Sequence, residues 1–548
     1  MRTLIKEGRE IGGRKLMETV RKSIGKMFRE VCGQYPERES LVHLETGVRY
    51  NYDLLLWEVE RAATGLVKLG INKGDRVAIW AENVPEWVVA FLSIAEIGAI
   101  AVPVDPGAES AEVRHILDQS ECRSIILTRG MEANEHVDVL LQEKGNLPSL
   151  EHMVLIGEKS VPEMRLWSEL TGMGTDLPPG VLEEMEKSVA PEEPVAIMYT
   201  SGTTGRSKGV VLDHLGLVNK SMCSTERQGV GHSDRLCLFF PLFHMFGNTC
   251  IALAGLLRGA ALVMPSMTFD PPAILHALDR ERCTAIYGSP SMLIALVEHP
   301  EFQKKKWKSV KKGIIGGAPC PVELMRRLVE DIGISDITVG YGITETCSWV
   351  TMSKPDDPVE LRCSTIGTAL ECNEVKIVDT STGEDLPPGS RGELCARGFI
   401  MKEYYRMPGA TAAAVDREGW FHTGDLGEMD DMGYFRITGR LKEVIKRNGI
   451  EIYPGEIEEV ICTLPEVSEV QVFGFPHPSK GQEIAAWIRL RDGAALGPEE
   501  IREYVGKKVG DQRAPRYYKI VTEFPMTRSG KIQKFKLAEL AEKEYLKG

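Results

Sequence analysis

Tyr199-Thr-Ser-Gly-Thr-Thr-Gly-Arg-Ser-Lys-Gly209 follows directly on the apolar run Val195-Ala-Ile-Met198 and packs five Ser/Thr hydroxyls, two internal glycines and one lysine into eleven residues. Gly202 and Gly205 let the backbone turn tightly and bring N–H groups against an anion. Thr200, Ser201, Thr203, Thr204 and Ser207 add rotatable O–H donors, and Lys208 adds a full positive charge. The spacing is not GxxxxGK[ST], so this is not a Walker A loop. Taken alone, a Ser/Thr/Gly cluster after a strand is more often an ordinary turn. The rest of the chain has to decide.

At 548 residues the chain is too long for one core and implies two or more domains. Hydrophobic residues at 43% and charged residues at 26% are ordinary for a globular protein. The net charge of −13 argues against a nucleic-acid partner, whose binding would rest on basic phosphate contacts. Twelve cysteines without a CxxC pair or Cys/His metal spacing suit buried thiols in a reducing cytoplasm, with no structural zinc. No segment has the continuous apolar length of a signal peptide or a membrane span; a cytoplasmic protein, monomeric or homodimeric, is expected.

Residues 1–30 form a basic extension, with nine Lys/Arg against four Glu and with Leu16, Val20, Ile24 and Met27 at helical spacing. Such a helix either docks on its own domain or lies peripherally on an anionic membrane. The spacing then predicts a βαβ unit: a strand over 75–80, a helix over 85–97 with Trp87, Phe91 and Ile94 on one face, and a strand over 99–104. Apolar runs at 124–127, 153–156 and 261–264 extend the pattern. Short strands and Gly turns take over near Gly392. After Arg440 come a helix over 454–462, a strand over 467–473, a helix over 498–509 and a polar tail. The predicted fold class is α/β, a large N-terminal domain of stacked sheets with a small, mobile C-terminal α+β domain. The expected division is 31–438 for the large ATP- and acyl-binding domain, its β-rich subdomain at about 360–438, a hinge at 439–442, and 443–548 for the small domain.

Four further segments follow the loop in order: Tyr341-Gly-Ile-Thr-Glu345, Trp420-Phe-His-Thr-Gly-Asp425, Gly439-Arg-Leu-Lys-Glu-Val-Ile-Lys-Arg-Asn-Gly449 and Arg528-Ser-Gly-Lys531. Each alone could be structural. In this order and spacing they resemble the adenylate-forming superfamily of acyl-CoA synthetases, luciferases and peptide-synthetase adenylation domains, over residues from about 45 to 540, and most closely its AMP-forming acyl-CoA synthetases.

The resemblance implies a two-step reaction. A carboxylic acid attacks the α-phosphorus of ATP to give an acyl-adenylate and pyrophosphate, and the thiol of coenzyme A then displaces AMP. The loop from Thr200 to Lys208 would grip the β- and γ-phosphates. Tyr341, Gly342 and the segment Gly317, Ala318 and Pro319 would border adenine, and Thr344 would reach the α-phosphate. Glu345 is the implied Mg²⁺ ligand, with Thr200 beside it, and Asp425 would accept from the ribose hydroxyls with Arg440 close by. Lys531 matches the family's adenylation lysine and Lys442 its hinge residue. Lys446 and Gly449 match the face used for thiol attack. Phe239-Phe-Pro-Leu-Phe-His-Met-Phe-Gly247 looks like the family's aromatic acyl-channel segment, placing Phe243 and His244 at the acyl pocket.

Three departures stand out. Gly342 replaces the pocket-closing tryptophan of acetate-specific members, which implies an acid larger than acetate. Cys347 and Trp349 follow Glu345, where glycine is common, and Trp349 joins the expected acyl pocket. Arg206-Ser207 stands where many members have Lys-Pro. Medium-chain, long-chain, alicyclic and aromatic acids all remain open. Rival readings are an adenylation enzyme that loads a carrier protein, a luciferase-like oxygenase, and a catalytically silent nucleotide-binding scaffold that would not need Lys531.

Overall fold

The strands Arg76–Trp80, Ile100–Pro103, Ser124–Leu127 and His152–Leu155 are buried almost end to end, so they read in sequence as apolar runs rather than as an alternation. They pair in parallel and form the centre of an eight-stranded sheet. The computed structural model describes residues 7–11, 14–131, 135–175, 180–200, 207–303, 307–491, 493–526 and 532–546. One edge of this sheet is antiparallel: Pro194–Thr200 pairs with Lys208–Asp213, which pairs with the two-residue strand Glu403–Tyr404. A nine-stranded sheet with a parallel centre, including Ala285–Gly288, Lys312–Gly316 and Asp336–Ile343, supplies the second layer. These elements belong to one unit, Met1–Val375 with Ala396–Phe421.

The helix expected over 85–97 is Pro85–Glu96, opened by proline at its first position. Every residue in it except Glu86 is buried, so it is a core helix and not one with a single apolar face. Glu96 at its end is fully buried and pairs with Arg29; burial raises its pKa against the opposing pull of that guanidinium.

The N-terminal expectation needs correcting. Leu16 lies in the strand Arg14–Met17, paired with Glu7–Ile11, and the helix begins only at Ile24, where Ser23 Oγ accepts from Lys26 N. Its apolar face, Ile24, Met27, Phe28, Val31 and Cys32, is buried in the large core. Asn219 grips the Val20 backbone from both sides (2.7 and 2.9 Å), and Ile24 N donates to His214 Nδ1 at 3.2 Å. A face spent on the protein's own core is not available to a membrane. Among the described residues no helix is long and apolar enough to cross one.

The second unit joins Lys376–Cys395 to His422–Gly548. It holds Phe435–Arg440 and the greater part of Gly392–Gly398 and Phe421–Met429, strands of one four-stranded sheet, and a five-stranded sheet built on the long hairpin Val467–His477 and Gly481–Leu490. The helices Pro454–Cys462 and Pro498–Val509 stand where the sequence placed them. The 439–442 boundary expected from sequence falls inside this unit: the Arg391 guanidinium lies 4.7 Å from the Tyr453 ring and pairs with Glu456. The stretch read as a polar tail is the helix Lys534–Leu546, seated by Leu537 and Ala541.

Candidate active site

The sequence-predicted residues fall into two sets, one in each unit. In the large unit, Thr200 and Lys208 face each other as register partners of the antiparallel pair. Ser201, Gly202, Thr203, Thr204, Gly205 and Arg206 lie outside the described residues, as does Lys531. Lys208 Nζ sits 4.7 Å from the centroid of the Tyr404 ring.

Gly317, Ala318 and Pro319 are exposed at the carboxyl end of Lys312–Gly316, and Gly317 turns the chain with φ +85°. Tyr341 lies near the end of the neighbouring parallel strand. In open α/β sheets the carboxyl ends of strands are where ligands bind.

Beyond Tyr341 the strand register shifts against Ser348–Met352. A β-carbon on Gly342 would lie 2.1 Å from Ser348 O, so this glycine has a backbone reason independent of any acyl group. The chain then tightens into the 3₁₀ turn Thr344–Thr346. Cys347 and Ser348 follow with φ of 55° and 115°, a strained conformation for residues with side chains. Thr346 over-determines the turn: its hydroxyl donates to Ser348 O at 2.9 Å and accepts from Ile343 N at 3.2 Å. Glu345 is thereby held at a corner. Its carbonyl accepts from Met401 N at 2.7 Å, and its Oε1 accepts from the Tyr404 hydroxyl at 2.9 Å. Burial, with the Glu345 charge adding to it, raises the Tyr404 pKa, so the phenol stays a donor. No local pattern in the sequence points to Tyr404; only the pairing of Glu403–Tyr404 with Lys208–Asp213 brings it here.

Cys347 is buried with its sulfur toward Gly216, in the first turn of the helix His214–Gln228; a β-carbon on Gly216 would lie 2.8 Å from Sγ. Trp349 fills the space over Gly316 and Gly340, where added β-carbons would lie 2.6 and 2.9 Å from its ring, and meets Phe246 edge-on at 4.9 Å. Its strand is held from below by Lys220, a fully buried ammonium donating to Trp349 O (3.0 Å) and Asn373 Oδ1 (2.6 Å), with a pKa lowered by burial. Phe243 and His244 lie partly buried in the aromatic loop, which Asn83 fixes by donating to Phe240 O and accepting from Leu242 N. His244 Nδ1 accepts from Phe246 N at 3.1 Å, which puts the proton of a neutral ring on Nε2. A wide π-helical stretch, Phe246–Leu253, carries the chain on from there.

In the second unit Asp425 is buried and pairs with Arg440 across adjacent strands, Nε to Oδ1 2.9 Å. The turn before it is braced by Glu393, whose Oε1 accepts from Gly424 N and whose Oε2 lies 2.9 Å from His422 Nδ1. Lys442 sits in the short 3₁₀ turn Leu441–Glu443. The next residue, Glu443, is anchored by Lys534, which also reaches Glu458; burial lowers the ammonium pKa, and the two carboxylates outweigh it and raise it. Lys446 is exposed on Ile445–Arg447 and pairs at 3.2 Å with Glu451 on the facing strand. Asn448 and Gly449, with φ of 53° and 80°, form the two-residue hairpin turn between these strands.

The pattern of the AMP-binding enzyme family matches residues 28–405, and that of the AMP-binding enzyme C-terminal domain matches residues 456–531. "Putative acyl-CoA synthetase YngI" of Bacillus subtilis (strain 168) is 38% identical over 538 residues, 96% of this chain and 98% of that protein. Medium-chain acyl-CoA ligase ACSF2, mitochondrial, of Danio rerio is 34% identical over 93% of this chain and 87% of its own length. Among solved structures, a Mycobacterium tuberculosis fatty acyl CoA synthetase superposes with a TM-score of 0.74 at 29% identity, covering 94% of this chain and 98% of that one. The ordered motifs, the α/β fold and these matches agree: the chain belongs to the AMP-binding, adenylate-forming enzyme family, among its AMP-forming acyl-CoA synthetases.

Proposed function

We propose that the protein activates a medium-chain carboxylic acid with ATP and transfers the acyl group to coenzyme A, in the cytoplasm. The observation that carries the reading is the grouping of Lys208, Tyr404 and Glu345 in the same unit as the strand ends that bear Gly317 and Tyr341. A cation and a carboxylate tied through one phenol suit a polyphosphate and its divalent ion. The medium-chain preference rests on the ACSF2 relatives and on the apolar wall of Trp349 and Phe246. Twelve free cysteines, nine of them buried, support a reducing compartment.

The donor chemistry fits Mg²⁺: Glu345 offers a hard carboxylate fixed at a backbone corner, to which the family resemblance adds the Thr200 hydroxyl, and this ion is usually held by one or two carboxylates plus phosphates. When bound, Mg²⁺ would neutralise charge that builds up as the α-phosphorus is attacked. Lys208 and the Ser/Thr/Gly loop hold the departing phosphates, while Asp425 and Arg440 orient the ribose. Lys531 serves the first step. Lys446 and Gly449 serve the second after rotation at Lys442, a motion that would release Tyr453 and Glu456 from Arg391, so one small domain acts in turn through two surfaces.

The test is pyrophosphate release over acids from acetate through octanoate to palmitate, cyclohexanecarboxylate and benzoate, with and without coenzyme A. A maximum near octanoate with acyl-CoA as final product is expected. Acyl transfer to a carrier domain with none to coenzyme A would overturn the choice of acceptor.

A further inference from the structure

Lys208 and Glu345 reach the site from different sheets of the large unit, Lys208 at the antiparallel edge of one and Glu345 beyond the end of a strand in the other. The residue that touches both is Tyr404. Its hydroxyl donates to Glu345 Oε1 at 2.9 Å, and its ring lies beneath Lys208 Nζ at 4.7 Å. We propose that Tyr404 is a positioning residue that couples the phosphate-holding lysine to the metal-holding carboxylate.

Three features support this role. Tyr404 is only 7% exposed, so its ring is a fixed support for the ammonium. Its backbone is locked: the residue pairs with Val210, its N–H donates to Thr411 Oγ1 at 3.0 Å, and its neighbour Tyr405 N donates to Gly209 O at 2.7 Å. The hydroxyl occupies one oxygen of Glu345, which sets the rotation of the carboxylate and the direction its other oxygen presents. A partner that orients a metal ligand in this way is worth roughly 10- to 100-fold in metal affinity. The cation held over the ring and the anion at the hydroxyl also limit the separation between the two charges. Without Tyr404, each would be free to move independently of the other.

The inference rests on the proposed reaction for its meaning, but its test does not require turnover. Tyr404→Phe keeps the ring and removes the hydroxyl; Tyr404→Leu removes both. Binding of ATP is measured by equilibrium dialysis at graded Mn²⁺, used as the spin-bearing probe for the metal, with the bound ion followed by electron paramagnetic resonance. Tyr404→Phe is expected to weaken Mn²⁺ binding in the ATP complex by roughly 10-fold or more while metal-free ATP binding stays unchanged. Tyr404→Leu is expected to weaken metal-free ATP binding as well, through Lys208. In a Glu345→Gln background, Tyr404→Phe should add little, since the partner it positions is gone. Unchanged Mn²⁺ binding in Tyr404→Phe, or full additivity with Glu345→Gln, would overturn the proposal. If the wild-type protein binds Mn²⁺ and ATP as described yet releases no pyrophosphate with any acid, the proposed function fails and the role of Tyr404 stands.

Discussion

Replacing His214 by glutamine should flatten the acid side of the stability profile of the large unit. His214 is fully buried at the first position of the helix His214–Gln228, behind its cap Asp213, and its Nδ1 accepts from Ile24 N. Its Nε2 has no hydrogen-bond partner among the described residues. Protonation would set an N–H against the Ile24 N–H and place a charge in the core. Burial, with a smaller push from Lys73, accordingly lowers the pKa from 6.5 to about 3. The unfolded chain therefore takes up the proton first. Stability is fully present above about pH 6.5 and is lost as the pH falls toward about 3. Each unit is about 1.36 kcal/mol, so the full loss is on the order of 5 kcal/mol, and about 2 kcal/mol is gone by about pH 5. A glutamine in its place could still accept from Ile24 N but would not titrate. Hydrogen–deuterium exchange of peptides covering 20–34 and 214–228, corrected for intrinsic rates, reads the effect directly. Between about pH 7.5 and 5, wild-type protection should fall roughly 30-fold more than that of His214→Gln. An equal fall in both would refute a neutral, buried His214 and with it the firm seating of the N-terminal segment.

Other outcomes follow from the site. Trp349→Leu removes the ring over Gly316 and Gly340; the optimum of a fatty-acid series should move to longer chains in competition assays, at a stability cost of roughly 2–4 kcal/mol in thermal unfolding. Asp425→Asn removes the buried negative charge opposite Arg440; KM for ATP should rise roughly 10-fold or more with KM for the acid unchanged, as expected for hydrogen bonds to a charged acceptor worth about 1.5–3 kcal/mol. Gly449→Asn and Gly449→Leu separate two roles of one position. Asparagine tolerates the positive φ of the hairpin turn and leucine does not, so a loss of thioester formation shared by both variants points to pantetheine contact, and a loss confined to leucine points to the turn.

What the sequence made legible, and what it hid, has a physical pattern. Pro454 and Pro498 marked two helix starts correctly because proline suits a first helical turn. The parallel strands were readable because burial on both faces leaves long apolar runs. The helix Lys534–Leu546 looked like a polar tail because only Leu537 and Ala541 are buried; it is seated partly by Tyr545, whose ring stacks on Tyr517 at 4.2 Å. Leu16 and Val20 mimicked helical spacing, yet their positions are set by pairing with Glu7–Ile11 and by Asn219, neither of which local periodicity encodes. Asn448-Gly449 is a strong hairpin signal that a chemical reading of Gly449 concealed. Around the site, the motif residues were visible, whereas Tyr404, Lys220 and Glu393 were not. They act through contacts 59, 129 and 29 residues away in sequence, formed only when strands and helices meet.

The proposal of two surfaces used in turn on one small domain is tested most directly by measuring the two half-reactions separately in Lys531→Ala and Lys446→Ala. Pyrophosphate release from ATP and octanoate reports the first, and conversion of supplied octanoyl-adenylate to octanoyl-CoA reports the second. Lys531→Ala is expected to lose the first and keep the second, and Lys446→Ala to keep the first and lose the second. Equal loss of both half-reactions in each variant would contradict it.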